Sequence, residues 1–253
     1  MDKEPVILTV RRNTAGKALA ERSRGSDRRA ARRLLLQILA LAVVWPGHGV
    51  AADRAAGAAS GSGPSANAAA AASGERRILI LGDSLSAEYG IGRGEGWVSL
   101  LEQRTAPKGW RIANASISGE TTAGGLSRLP DLLKKHGPAI AVIELGANDA
   151  LRGLPMASTE ANLRKMIAFA RDAGSKPLLL GMMMPPNFGP AYARQFSEMF
   201  KRIAQTERIA LVPFLLDGFA DDLAWFQPDR VHPTAKAQPR MLDNVWPVLS
   251  EML

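Results

Sequence analysis

Ser84, Asp229 and His232 are the residues of this 253-residue chain whose types and spacing best suit nucleophilic chemistry. A serine hydroxyl is a poor nucleophile until a neighbouring base takes its proton. Histidine suits that role because its ordinary pKa lies near neutrality. Asp229 stands three residues before His232 and could accept a hydrogen bond from the imidazole, fixing its tautomer. Attack on a carbonyl also creates an oxyanion, which needs donors aimed at it. The backbone N–H groups of Ser84 and Gly119 and the side-chain amide of Asn148 could supply three. Glycine at 119 permits a close backbone approach or an unusual φ.

Each of these residues also has a plainer reading. Asp83 or Ser84 can cap the next helix, and Gly119 can serve a turn. Asn148-Asp149 can be an N-cap pair, and Asp229 to His232, flanked by Pro228 and Pro233, can be a turn with a local side-chain bond. What favours chemistry is that all four segments follow predicted strands. Other site types fit less well. With no cysteine and only His48, His136 and His232, thiol nucleophiles and cysteine- or histidine-rich metal sites are excluded. There is no Walker A, no H-E-x-x-H and no G-x-S-x-G around Ser84. His136 falls at a predicted helix C-terminus, where an imidazolium would favour the dipole.

Short apolar runs predict strands at Ile78–Leu81, Ile112–Ala115, Ile140–Leu145, Leu178–Met182 and Ile209–Val212. Between them, helical spacing covers Trp97–Arg104, Leu126–Lys135, Thr159–Ala173 and Ala191–Gln205, with Thr234–Leu253 closing the chain. Alternating strands and helices imply a three-layer α/β/α sandwich around a parallel sheet of about five strands. Ligands of such sheets sit at the carboxyl ends of the strands. The four polar segments all lie there.

The net charge of +8 is a poor guide to nucleic acid, because residues 1–74 carry +6 of it and residues 75–253 only +2. Arg28 to Arg33, the apolar run Leu34–Trp45, and Val50-Ala51-Ala52 have the three parts of a secretory leader over residues 1–52. Its apolar run spans roughly 18 Å as a helix, short of a hydrocarbon core of about 30 Å, so no stable membrane insertion is expected after cleavage. Residues 53–74 are Ala, Gly, Ser, Asn and Pro almost throughout and read as a flexible linker. The folded domain is expected over residues 75–253.

Gly82-Asp83-Ser84-Leu85, Gly119, Gly146-Ala147-Asn148-Asp149 and Asp229-Arg230-Val231-His232 resemble the four sequence blocks of the GDSL, or SGNH, hydrolases. Longer stretches such as Ile80–Ala87, Asn114–Gly119 and Glu144–Gly153 look like the bacterial multifunctional branch of acyl-CoA thioesterases, lysophospholipases and arylesterases. The resemblance runs from about Arg76 to the C-terminus. It implies a flavodoxin-like sandwich, Ser84 as nucleophile, His232 as base, Asp229 as its orienter, and Ser84, Gly119 and Asn148 as the oxyanion hole. It implies a small acyl ester or thioester as substrate, no metal or organic cofactor, a monomer, and a periplasmic or secreted location. Glu88 departs from the small residue expected there. Met184 and Phe188, on the loop after the fourth strand, are candidate linings of an acyl pocket, and Trp225-Phe226 a second wall. A carbohydrate O-deacetylase and a non-catalytic acyl- or lipid-binding protein are the alternatives.

Overall fold

The computed structural model describes residues 76–253, so the expected leader (1–52) and linker (53–74) lie outside the described residues. Five strands, β1 (Arg76–Gly82), β2 (Trp110–Asn114), β3 (Ile140–Glu144), β4 (Lys176–Leu180) and β5 (Ala210–Val212), form one sheet in the order β2-β1-β3-β4-β5. Every neighbouring pair is parallel. This is the flavodoxin-like order expected from the resemblance, with its topological switch between β1 and β3. The central strands are buried on both faces, which is why their sequences are unbroken apolar runs. Ile78 to Leu81, Ile140 to Ile143 and Leu178 to Leu180 are essentially without solvent contact.

Among the described residues, the strands are connected by helices α1 (Trp97–Thr105), α2 (Thr122–His136), α3 (Ala147–Leu151), α4 (Met156–Asp172) and α5 (Pro190–Glu207), and α6 (Gln238–Ser250) follows β5. Helix α1 packs against α6, α2 against α4, and α4 against α5. Among the described residues no helix is long and apolar enough to cross a membrane.

Several boundaries differ from the sequence reading, some of them for identifiable reasons. Strands β1 and β2 each begin two residues before their apolar runs, because Arg76 and Arg77 pair through the backbone with Trp110 and Arg111. Helix α2 starts four residues before Leu126, where the Thr121 side chain caps it by accepting the Gly124 N–H. The C-terminal helix is shorter than Thr234–Leu253: a single 3-10 turn (Ala235–Ala237) precedes α6. His136 closes α2, but burial, Lys135 and Arg77 push its imidazole toward the neutral form.

One buried acid shapes the carboxyl edge of the sheet. Glu144 ends β3 directly opposite Gly82 of β1 and is fully buried. Its Oε2 accepts the Asp83 N–H at 3.1 Å and the Ser86 hydroxyl at 2.8 Å, and the Trp97 indole N–H donates to Ser86 Oγ at 3.2 Å. The approach is close enough that a Cβ on Gly82 would lie 2.6 Å from Oε2. Oε1 has no hydrogen-bond partner. Burial, reinforced by the neighbouring Asp83 carboxyl, holds Glu144 well above the usual carboxylate range, which favours its neutral form in the fold.

A proton bound in the folded state but lost in the unfolded chain makes stability fall as pH rises above the ordinary carboxylate range. Glu144→Gln removes that linkage while keeping an acceptor for Asp83 and Ser86. Its stability relative to wild type is expected to climb by up to about 1.4 kcal/mol per pH unit between about pH 5 and 7, measured by urea unfolding. A pH-independent difference would mean that Glu144 is ionised in the fold.

Candidate active site

The turn after β1 presents Ser84 at the sheet edge. Asp83 is buried, and its Oδ1 accepts the Leu85 N–H at 3.0 Å, a local bond that sets the turn. The pairing of β2 with β1 continues past both strands. The Ala115 N–H donates to Ile80 O and the Ile117 N–H to Gly82 O, which carries residues 116–119 alongside the serine turn. Gly119 adopts a φ of +79°, a left-handed conformation that a Cβ would strain. The Arg152 guanidinium donates to its carbonyl at 2.7 Å.

After β3 comes the short helix α3, which lies between the predicted strand Ile140–Leu145 and the predicted helix Thr159–Ala173. It carries Asn148, whose Nδ2 donates to Asp83 Oδ2 at 2.9 Å. One amide hydrogen is thus committed to Asp83 and the side chain is held beside the serine turn. Asp149 does not cap its own helix. It is buried and accepts the Thr122 N–H and hydroxyl at 2.9 and 2.5 Å and the Thr159 hydroxyl at 3.3 Å, tying α3 to the starts of α2 and α4.

His232 arrives from the irregular chain after β5. Its Nε2 lies 2.9 Å from Ser84 Oγ and its Nδ1 2.7 Å from Asp229 Oδ2. One tautomer serves both contacts: Nδ1–H donates to Asp229 and Nε2 accepts from the serine hydroxyl. Asp229 Oδ1 accepts the backbone N–H groups of Val231 and His232 at 2.9 and 3.0 Å. The His232 N–H is the largest influence on Asp229. With the imidazole and Val231 it overcomes the burial penalty and brings the carboxyl down to about 2. Asp83 goes the other way. Burial raises it to about 6, against the lowering effects of the Leu85 N–H, His232 and Asn148.

The turn bearing His232 is clamped from several sides. The Gln227 N–H donates to His232 O, and Gln227 Nε2 donates to Tyr89 O and Pro233 O. An antiparallel bridge joins Phe226 to Pro233. The Tyr89 ring lies 4.3 Å from the imidazole, centroid to centroid. Glu88 does not supply a loose charge to the site. It takes a left-handed φ of 58°, and its carboxylate accepts the N–H groups of Gly94 and Gly96 and the Ser99 hydroxyl. Burial acts to raise its pKa, but these donors prevail and lower it.

Ser84, Asn148, Asp229 and His232 are thus joined through direct hydrogen bonds and Asp83, with Gly119 on the neighbouring segment. Met184 is buried in the core, while Phe188 and Met183 on the same loop are exposed. Trp225 and Phe226 are half-buried and pack on Phe219. Sequence reasoning missed Glu144, Gln227 and Tyr89. It saw Asp83 only as a cap. A charged residue ending the otherwise apolar run Ile140–Glu144 was the one signal that pointed to Glu144.

Comparison with known proteins agrees with this geometry. A profile of the GDSL-like Lipase/Acylhydrolase family matches residues 80–239. Esterase TesA of Pseudomonas aeruginosa is 49% identical over 178 residues, covering 70% of this chain and 89% of that protein. Thioesterase 1/protease 1/lysophospholipase L1 of Escherichia coli K12 is 40% identical over 166 residues, 66% of this chain and 79% of that one. The crystal structure of the psychrotrophic esterase EstA from Pseudoalteromonas sp., inhibited by monoethylphosphonate, superposes with a TM-score of 0.66 at 38% identity, covering 70% of this chain and 98% of that one. With the match extending over most of the described residues, the chain belongs to the GDSL-like lipase/acylhydrolase family of ester-cleaving serine hydrolases.

Proposed function

We propose that Ser84, His232 and Asp229 form the catalytic triad of an esterase and thioesterase acting on small acyl substrates. The observation that carries this reading is the unbroken chain from Ser84 Oγ through both imidazole nitrogens to Asp229. Ser84 attacks the carbonyl carbon while Nε2 takes its proton. The tetrahedral intermediate collapses to an acyl-serine, and the imidazolium returns the proton to the departing alcohol or thiol. Water activated by the same nitrogen then hydrolyses the acyl-serine.

The donors proposed for the oxyanion are the backbone N–H groups of Ser84 and Gly119 and the second amide hydrogen of Asn148. Asp83 supports that assignment, because by accepting one hydrogen it fixes where the other points. Asp229, held at about 2, stays ionised throughout the working range and stabilises the imidazolium as it forms. The exposed Phe188 and Met183 are the side chains of their loop available to an acyl chain. The leader over residues 1–52 favours export to the periplasm, with the enzyme acting as a monomer. Lysophospholipids and other exogenous esters are more accessible there than coenzyme A thioesters.

Hydrolysis of p-nitrophenyl esters from acetyl to palmitoyl tests the reading. Ser84→Ala is expected to lower kcat by about four orders of magnitude or more with the fold intact. Turnover confined to acetyl would favour carbohydrate O-deacetylation, and acyl binding without Ser84-dependent turnover would favour a binder. Asn148→Ala is expected to cost about 100- to 1,000-fold in kcat with little change in KM, by steady-state kinetics. Protonation of Asp83 weakens the charge-assisted hydrogen bond that orients Asn148, so kcat/KM is expected to decline as pH drops through about 6. A flat profile between about pH 7 and 5 would remove Asp83 from the mechanism.

A further inference from the structure

Tyr89 is the aromatic ring nearest the proposed base, and nothing in the triad accounts for it. The residue is 49% exposed, yet its position is fixed by more than the ring contact. Its backbone N–H donates to Ser84 O, and its carbonyl accepts from Gln227 Nε2 at 2.9 Å. The residue before it, Glu88, is itself held in a left-handed conformation by the hydrogen bonds to Gly94, Gly96 and Ser99. The ring therefore stands against His232 with one side on the imidazole, tilted 40°, and much of its remaining surface open. The other aromatics of the neighbouring loop, Trp225 and Phe226, are already engaged with Phe219.

In the proposed reaction the leaving oxygen must come within hydrogen-bond reach of His232 Nε2, because that nitrogen returns the proton. A leaving group next to Nε2 is also next to whatever covers the imidazole. We propose that Tyr89 is a specificity-determining residue whose ring walls the leaving-group side of the site and favours aryl over alkyl leaving groups. An aryl group can meet the ring in an offset or edge-to-face contact that an alkyl group lacks. Because the backbone of Tyr89 is tied to both Ser84 and Gln227, little ordering is required when the contact forms. No extra reactant is involved. The Ser84 Oγ–carbonyl bond forms, the carbonyl–aryloxy bond breaks, and the serine proton passes through Nε2 to the aryloxide.

The inference rests on the triad assignment above, and the experiment separates the two. The full chain and its Tyr89→Leu and Tyr89→Phe variants are assayed with phenyl butyrate and trifluoroethyl butyrate, with Ser84→Ala as the control. Comparing variants cancels the intrinsic reactivity of the two esters. Tyr89→Leu is expected to lower the phenyl-to-trifluoroethyl ratio of kcat/KM by about three- to tenfold. Tyr89→Phe, which keeps the ring, is expected to hold the wild-type ratio. A ratio unchanged in Tyr89→Leu overturns the proposal. So does a parallel loss on both esters, which would assign Tyr89 to seating the imidazole alone. Hydrolysis that survives Ser84→Ala would instead overturn the triad.

Discussion

The Glu144 carboxyl is the interaction on which the rest of the site is built. Strand β1 must end beside β3 in a turn tight enough to project Ser84 out of the sheet, and the amides exposed by that turn have lost their ladder partners. Glu144 Oε2 takes up the first of them, the Asp83 N–H, together with the Ser86 hydroxyl. An ionised carboxylate there would have to sit in the interior without a cation, which burial forbids unless the group is neutralised. Holding Glu144 above the usual carboxylate range eases the conflict by favouring its neutral form. Asp83 in turn orients Asn148, so a buried group with no contact to either Ser84 Oγ or His232 shapes the setting of two of the three proposed oxyanion donors, the Ser84 N–H and the Asn148 amide.

The two halves of the proposed triad are secured differently. Ser84 sits between two central strands, on a turn with buried hydrogen bonds beneath it. His232 and Asp229 belong to irregular chain, and their relative position is local: three residues apart, with Asp229 accepting backbone N–H groups of the same turn. What brings that turn to the serine is Gln227, whose main chain and side chain bond to His232, Pro233 and Tyr89 at once.

The sheet was legible in the sequence because its central strands are buried on both faces and so spell out unbroken apolar runs. Their parallel direction followed from the helical stretches between them. The four polar segments could be placed at one edge by the same logic. The relations among those segments were not legible, because they depend on which strands are neighbours. Gly82 lies opposite Glu144, 62 positions along, only when β3 pairs directly with β1. The partners of Asp149 come from the starts of α2 and α4, so its role could not be read from its own helix. Helix α2 began too late in the sequence reading because Gly124 and Gly125 depress helix propensity, while its cap, Thr121, lies before them. Glu88 looked like a change of site chemistry and is an internal tether for its own loop.

The placement of His232 outside regular structure also bears on how the protein ages under heat. Local opening draws on the least protected segments first, and exposed turns held by a few hydrogen bonds open well below the global unfolding free energy. The turn around residues 227–233 can therefore swing away while the sheet and the serine turn persist. Thermal inactivation would then precede loss of secondary structure and reverse on cooling. On the proposed role of His232, the working ceiling would then depend on one glutamine-clamped turn, separately from the melting of the domain.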